Sequence, residues 1–286
     1  ILEEIHFLLS QYSEIISKGW VALLDALSPN NFSEEEEIMN SAFRCVQIIC
    51  NDILFSLTEN TQSQIISLIV EFASQTTDIN ISLSTFGLLW NAASCAKTLE
   101  MWKLIFQKTA PLISDPRTDV STCAINTFCS LIISNSKALS KDIYQYLAND
   151  LFVQIIDSLI QQTEPNEATI QLAFHELAHC GRNLWDNFKE VEIFPDQLWR
   201  KMISEHEVFI MKCKKRDIIV ASFLFYEELF ENHNLSNDIF ILLFDSLDRL
   251  TDFFIANYSA NSPLFGSFGR LLRVAIPATK EILTVE

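Results

Sequence analysis

The chain has 286 residues, 49% of them hydrophobic, with only 5 Gly and 7 Pro. So few turn formers speak against an all-β fold, which needs many turns. A formal net charge of −17 speaks against direct nucleic-acid binding and against broad adhesion to anionic lipid, both of which rely on Lys and Arg.

No apolar run reaches the roughly 18 residues of a membrane span. The best candidate, Ile218 to Tyr226, stops at Glu227 and Glu228. The seven Cys lie mostly within apolar patterns, the usage of a reduced protein facing the cytosol. The chain opens Ile1-Leu2-Glu3 without an initiator Met and reads as one segment, 1–286, excised from a larger protein.

Apolar residues recur at a period near 3.6 almost throughout, the signature of helices that bury one face. Residues 1–17 form a helix with Ile5, Leu8, Leu9, Tyr12 and Ile16 on one side. Gly19 ends it, and Trp20 to Leu27 make a short second helix. Ser33-Glu34-Glu35-Glu36 fits a capping box for a helix to about Leu57, striped by Ala42, Val46, Ile49 and Ile53. Thr61-Gln62-Ser63-Gln64 fits the same box and starts a helix through Ile65, Leu68, Ile69 and Phe72.

Asp78 to Asn91 comes next, with Asp78 or Asn80 at the cap. The spacing puts Leu83, Phe86 and Trp90 inward. Gly87 costs about 1 kcal/mol mid-helix relative to Ala, which the pattern explains by close approach of a neighbouring helix. A helix from Leu99 to Ile113 follows, with Trp102, Ile105 and Phe106 inward. Asp115-Pro116-Arg117 reads as an N-cap with proline at the first helical position, before a helix striped by Val120, Ala124, Phe128 and Leu131. Further helices cover 140–162, 167–188, 195–211, 214–231 and 236–257, and a short one lies near Phe265 to Val274 between Pro263 and Pro277. About six helix pairs of roughly 40–47 residues result, the period of HEAT and armadillo arrays. The fold class is therefore all-α, a HEAT/armadillo-like helical-repeat solenoid.

Few motifs point to chemistry. His175-Glu176-Leu177-Ala178-His179 is H-E-x-x-H on a helix, which sets both imidazoles on one face with Glu176 as a general base, as in zinc peptidases. Arg182 and Trp185 stand where the extended motif has Gly and His, and no strand precedes it to hold a peptide. A helix face with two surface His is the simpler reading, so no metal, cofactor or catalytic residue is expected. The one basic cluster, Lys212-Cys213-Lys214-Lys215-Arg216, is a candidate partner contact, as are Phe254 and Tyr258 in the aromatic-rich end of the chain.

Asn80-Ile81-Ser82-Leu83-x-x-x-Gly87-Leu88-Leu89-Trp90-Asn91 resembles a signature of the Mon-two (monensin-sensitivity) proteins, relatives of the large Arf exchange factors that lack the Sec-seven catalytic domain. Gly19-Trp20, Ala42 to Gln47 and Asp115-Pro116-Arg117 resemble other family stretches in the same order. The resemblance covers about 19–135, with Ser84 and Ser121 departing from the pattern. It implies a non-catalytic scaffold at the cytosolic face of the trans-Golgi network and endosomes. It also implies association with Dopey-type proteins, Arf-like small GTPases and a phospholipid flippase, with self-association possible, no nucleic acid, and membrane contact only through the complex. The alternatives are the helical region of a catalytic large Arf exchange factor, an importin-like cargo array, or a zinc peptidase through His175, Glu176 and His179.

Overall fold

A computed structural model describes residues 2–12, 19–32, 35–162, 166–193, 195–231, 235–258 and 262–283, with the side chains of 276–283 not described. The described residues contain helices and no strand. They pack as two compact units, Ile1–Leu131 and Ile132–Glu286.

The first unit holds α1 (Leu2–Tyr12), α2 (Trp20–Ala26), α3 (Glu36–Ile48), α4 (Glu59–Ser74), α5 (Ile79–Cys95), α6 (Leu99–Thr109) and the start of α7 (Thr118–Ser134). Alternate helices form two layers, α2 on α4 on α6, and α1 on α3 on α5. This is repeat packing, since each helix pair buries its apolar face against the next pair. Four of the expected stripes are there, whereas in α1 Leu9 is buried, Leu8 is exposed and Ile16 lies outside the described residues. Ala42, Val46, Ile49 and Ile53 are buried, as are Ile65, Leu68, Ile69 and Phe72, then Trp102, Ile105 and Phe106, then Val120, Ala124, Phe128 and Leu131.

Helix starts differ from the sequence expectation. Ser33 and Glu34 lie outside the described residues. Glu36 is the first residue of α3, with Glu35 ahead of it and no side-chain cap bond, so Glu36 is not the third-residue partner of a capping box. The cap of α4 is Thr58, whose side chain accepts from the Thr61 amide, three residues before the expected start. α3 also passes through a π-turn at Ile49–Ile53 and a 3₁₀ turn at Leu54–Ser56 before it ends.

Asp115 and Pro116 precede α7, which begins at Thr118, so Pro116 is not its first residue. Asp115 instead grips Arg117. Its Oδ1 accepts from the Arg117 amide at 2.8 Å and from Nε at 2.9 Å, and its Oδ2 accepts from Nη2 at 2.8 Å. The guanidinium then reaches α4, where Nη1 donates to the Gln75 carbonyl at 2.6 Å and Nη2 to the Ala73 carbonyl at 3.0 Å. It also touches the buried Ser82 Oγ of α5 at 3.1 Å. The last carbonyls of a helix lack intrahelical partners, and a cation there also meets the negative end of the helix dipole.

α5 buries a different face from the expected one. Ile81, Ser82, Thr85, Phe86, Leu88, Leu89, Ala92 and Ala93 point inward. Phe86 is in the core as expected, but Leu83 is half-buried and Trp90 is 37% exposed. Gly87 is exposed, and a Cβ there would meet nothing within 4 Å. No helix approaches it. Asp78, not Asn80, is the cap, accepting from the Asn80 amide at 2.8 Å.

The second unit continues with α8 (Lys141–Tyr146), a π-turn at Leu147–Leu151 leading into α9 (Phe152–Ile160), α10 (Glu167–Asn183), α11 (Trp185–Glu190), α12 (Asp196–Lys212), α13 (Arg216–Phe230), α14 (Asn237–Asn257) and α15 (Pro263–Leu283). The same layering recurs, α9 on α12 on α14, and α10 on α13 on α15. The expected helix 167–188 breaks at Leu184. The last helix is longer than expected, opening on Pro263 and continuing past Pro277. The close-approach glycine is Gly181 on α10, where a Cβ would stand 2.4 Å from the fully buried Trp199 ring.

Two predictions follow from these packings. Arg117→Met leaves two helix-end carbonyls without their donor and Asp115 with only the backbone amide of residue 117, and should lower the stability of the first unit by about 3 kcal/mol in urea unfolding. Arg117→Lys should recover only part, because an ammonium cannot span the same fork of acceptors. Gly181→Ala should cost about 1–3 kcal/mol through overpacking against Trp199, whereas Gly87→Ala should raise the melting temperature slightly, as helix propensity alone then acts. A Gly181→Ala protein as stable as the parent would refute the packing account.

Candidate functional site

Three features qualify by chemistry or exposure, and each lies within one unit. The first is the H-E-x-x-H face of α10. Its two imidazoles stack with ring centroids 6.4 Å apart. His175 Nδ1 lies 3.2 Å from Glu176 Oε1, and this bond, ahead of the opposing effect of burial, holds the His175 pKa above its ordinary value. The same bond holds Glu176 below the usual carboxylate range.

His179 Nδ1 lies 3.3 Å from Glu228 Oε1 of α13, while the Asn183 amide lies 3.1 Å from His179 Nε2. The same Asn183 amide donates to the His179 carbonyl at 2.8 Å. Arg182 completes the cluster, Nε to Glu228 at 2.9 Å and Nη1 to Glu231 at 2.7 Å. Glu176 is thus engaged with a histidine of its own motif, and Glu228 with a guanidinium. Among the described residues no group of three His, Cys, Asp or Glu has the arrangement to hold a metal ion. The face works as a polar clamp between α10 and α13.

The second feature is the turn between α12 and α13. Lys212, Lys214, Lys215 and Arg216 are all exposed there, while Cys213 is buried. Lys215 Nζ lies 3.7 Å from Glu167, and Arg216 sits 5.9 Å above the Tyr258 ring, a cation–π contact. Tyr258, half-buried, therefore belongs to this corner. Phe254 does not. It is fully buried, packed between Phe223 and Phe268 at 5.8 and 5.2 Å, and so is closed to a partner.

The third is the outward face of α5. Asn80, Leu83, Ser84, Gly87, Trp90, Asn91 and Ser94 fall on one helical side, exposed or half-exposed. None of the 17 residues of α5 is charged. Asn91 Nδ2 donates to Asn51 Oδ1 at 2.8 Å, tying this face to the π-turn of α3. The 3₁₀ turn that follows also packs on α5 and carries Phe55, 65% exposed. The sequence pattern puts Leu83 and Trp90 inward and Gly87 against a neighbouring helix, whereas the structure turns Gly87 and Trp90 out and leaves Leu83 half-buried. Apolar residues of α5 extend beyond the stripe of Leu83, Phe86 and Trp90 to Ile81, Leu88 and Leu89, so the pattern alone does not fix which arc is buried.

One further titratable group stands out by burial. His206 of α12 is fully buried with neither ring nitrogen hydrogen-bonded among the described residues. Phe225 lies 4.1 Å away between ring centroids, Phe174 4.9 Å and Tyr226 5.4 Å. Burial drives its pKa down to about 3. Burial raises the Cys45 thiol to about 11 and the Cys50 thiol to about 12, away from the reactive thiolate.

Comparison with known proteins gives consistent relatives. The chain is 25% identical to the Drosophila melanogaster protein MON2 homolog over 206 residues, covering 62% of this chain and 12% of that protein. It is 29% identical to the Schizosaccharomyces pombe MON2 homolog over 106 residues, 34% of this chain and 7% of that one. It is 26% identical to the Homo sapiens MON2 homolog over 90 residues, 32% and 5%. The chain thus spans about 12% or less of these relatives. No protein-family model matches it.

The buried imidazole sets a pH dependence. Unfolded, His206 takes up a proton below its ordinary pKa of about 6.5; folded, it does not until about pH 3. Stability should therefore fall as pH drops through that window, with a limiting slope of about 1.4 kcal/mol per pH unit. His206→Leu should remove this contribution and raise stability at pH 5. Identical acid unfolding curves for the two proteins would show that His206 is protonated without cost.

Proposed function

Taking the chain as a relative of the MON2 proteins, we propose that it is a non-catalytic interaction segment of a membrane-trafficking scaffold. The observation that carries this reading is the outward face of α5. A charge-free helical face, with Gly87 at its centre and the 37%-exposed Trp90 at its edge, sits in a chain of net charge −17. Depletion of charge together with an aromatic anchor is what distinguishes the core of a protein–protein interface. Gly87 lowers the middle of the face between Leu83 and Trp90, which lets a partner's backbone or side chain come close.

The same residues carry the resemblance to the Mon-two family. Ile81, Ser82, Leu88 and Leu89 of that stretch are buried, but Asn80, Gly87 and Trp90 have no need to face solvent in a purely structural signature, and their exposure favours a role in binding. The partners proposed are a Dopey-type protein, an Arf-like small GTPase and a phospholipid flippase, at the cytosolic face of the trans-Golgi network and endosomes. Contact with the membrane is peripheral and passes through the complex. No catalytic step, metal or cofactor belongs to this reading.

Recovery of a Dopey-type protein from Golgi membranes tests it directly. Trp90→Ala and Leu83→Ala should each reduce the apparent affinity, the tryptophan by about 10–30-fold, as truncation of an interface anchor does. Thermal stability should change little, because both side chains are at least partly exposed. Undiminished recovery by a Trp90→Ala, Leu83→Ala double variant would remove α5 from the interface.

A further inference from the structure

The basic turn between α12 and α13 opens onto a cavity that the reading above leaves without a role. Its volume is about 240 Å³. Ile170 and Cys213 form buried floor, Phe209 is half-buried, and Val208 is 41% exposed at the mouth. Glu167 of α10, paired with Lys215, also lines it, and Glu205 and Lys212, both on α12, stand on the rim. They are seven residues apart, so the helix rise sets them about 10 Å from each other.

The size discriminates between occupants. An apolar cavity of about 150 Å³ accommodates a benzene ring, whereas sites for free small molecules run from about 300 to 1,000 Å³. A space between those values suits a single large apolar side chain presented by a longer ligand. The rim supplies direction. Lys215 is engaged with Glu167 and Arg216 with the Tyr258 ring. Lys212 and Lys214 have no ion pair among the described residues, and neither does Glu205. Cations therefore await a partner at one end of the cavity, and one carboxylate at the other.

We infer that this corner is a docking site for a linear peptide segment of a protein partner. The segment inserts one aromatic or branched aliphatic side chain into the cavity. It places acidic residues against Lys212 and Lys214, and a basic or polar residue against Glu205. The inference rests on the interaction reading and adds a second contact of different chemistry, in the second unit. An acidic segment would be repelled by most of this chain, with 37 acidic residues against 20 basic. The basic turn is where such a segment gains attraction, so long-range charge steers it to the apolar anchor point. An anionic membrane would use the lysines but has no use for the cavity, and the carboxylate on its rim opposes a phospholipid headgroup.

The test uses the whole chain and a fluorescein-labelled synthetic peptide with one Phe, a single Arg on one side of it and four Asp or Glu on the other. Fluorescence polarisation should show saturable binding that weakens at least 10-fold in each of three cases: when Ser replaces the peptide Phe, in a Lys212→Glu, Lys214→Glu variant, and in a Val208→Trp variant that fills the mouth. Circular dichroism and melting temperature establish that both variants fold. No saturable binding overturns the inference. So does binding lost on charge reversal yet untouched by Val208→Trp, which would mark a merely electrostatic contact. Co-sedimentation with vesicles containing phosphatidylserine, abolished by charge reversal and unaffected by Val208→Trp, would assign the turn to a lipid surface and likewise overturn it. The α5 variants report separately on the scaffold reading. Peptide failure with intact dependence on Trp90 sinks only this site.

Discussion

Every α-helix ends on carbonyls that find no partner inside it, and a stack of short helix pairs repeats that problem at each turn. In the first unit Arg117 answers it. One guanidinium caps the end of α4 at Ala73 and Gln75, touches Ser82 on the first turn of α5, and is held by Asp115 before α7. Gln75 adds its own amide bonds to the α4–α5 turn, accepting from the Thr77 and Asp78 amides at 2.7 and 2.9 Å and donating to Ser82 at 2.9 Å. The orientation of α5, and with it the face it presents outward, follows from where this network clamps its start. Ser82 is drawn inward, and Gly87 and Trp90 are turned out.

The second unit relies on a different balance. Its core is crowded with aromatic rings, and Trp199 fits only because Gly181 has no side chain. Into this apolar setting the chain places His206 without a hydrogen bond. A buried polar group without a partner costs free energy, and a charged one costs more, so the imidazole stays neutral. The polar clamp of His175, His179, Arg182 and Glu228 lies at the edge of the same packing between α10 and α13. It pairs His179 and Arg182 of α10 with Glu228 of α13 and so ties the two helices.

Both candidate surfaces gain their character from contrast with the rest of the chain. The outward side of α5 lacks charge where acidic residues are abundant elsewhere. The α12–α13 turn concentrates cations in a chain that has few. In each case an apolar anchor point, Trp90 or the cavity beside Val208, lies beside a feature that selects what docks. Affinity at such surfaces comes from a few well-placed side chains, and charge serves to orient and to exclude.

The helices, their pairing and most of the buried stripes were legible in the sequence, because helical periodicity reports burial wherever one face is apolar and the other polar. Val120, Ala124 and Phe128 illustrate it. The pattern fails where the apolar residues of a helix spread over a wide arc. α5 offers Ile79, Leu83, Phe86 and Trp90 on one reading and Ile81, Thr85, Leu88 and Leu89 on another, and only the clamp at Ser82 and the packing on α4 choose between them. Helix starts were misplaced by a few residues, since several Ser, Thr and Asp compete for each cap. Which glycine lies against a ring, Gly181 rather than Gly87, depends on the neighbouring helix. That Phe254 is closed and Trp90 open depends on the same thing. By itself the sequence determined an all-α repeat chain and its resemblance to a family. The tertiary structure decided which residues of that chain meet solvent, because exposure is set by the packing of neighbouring helices and not by the residues of one helix alone.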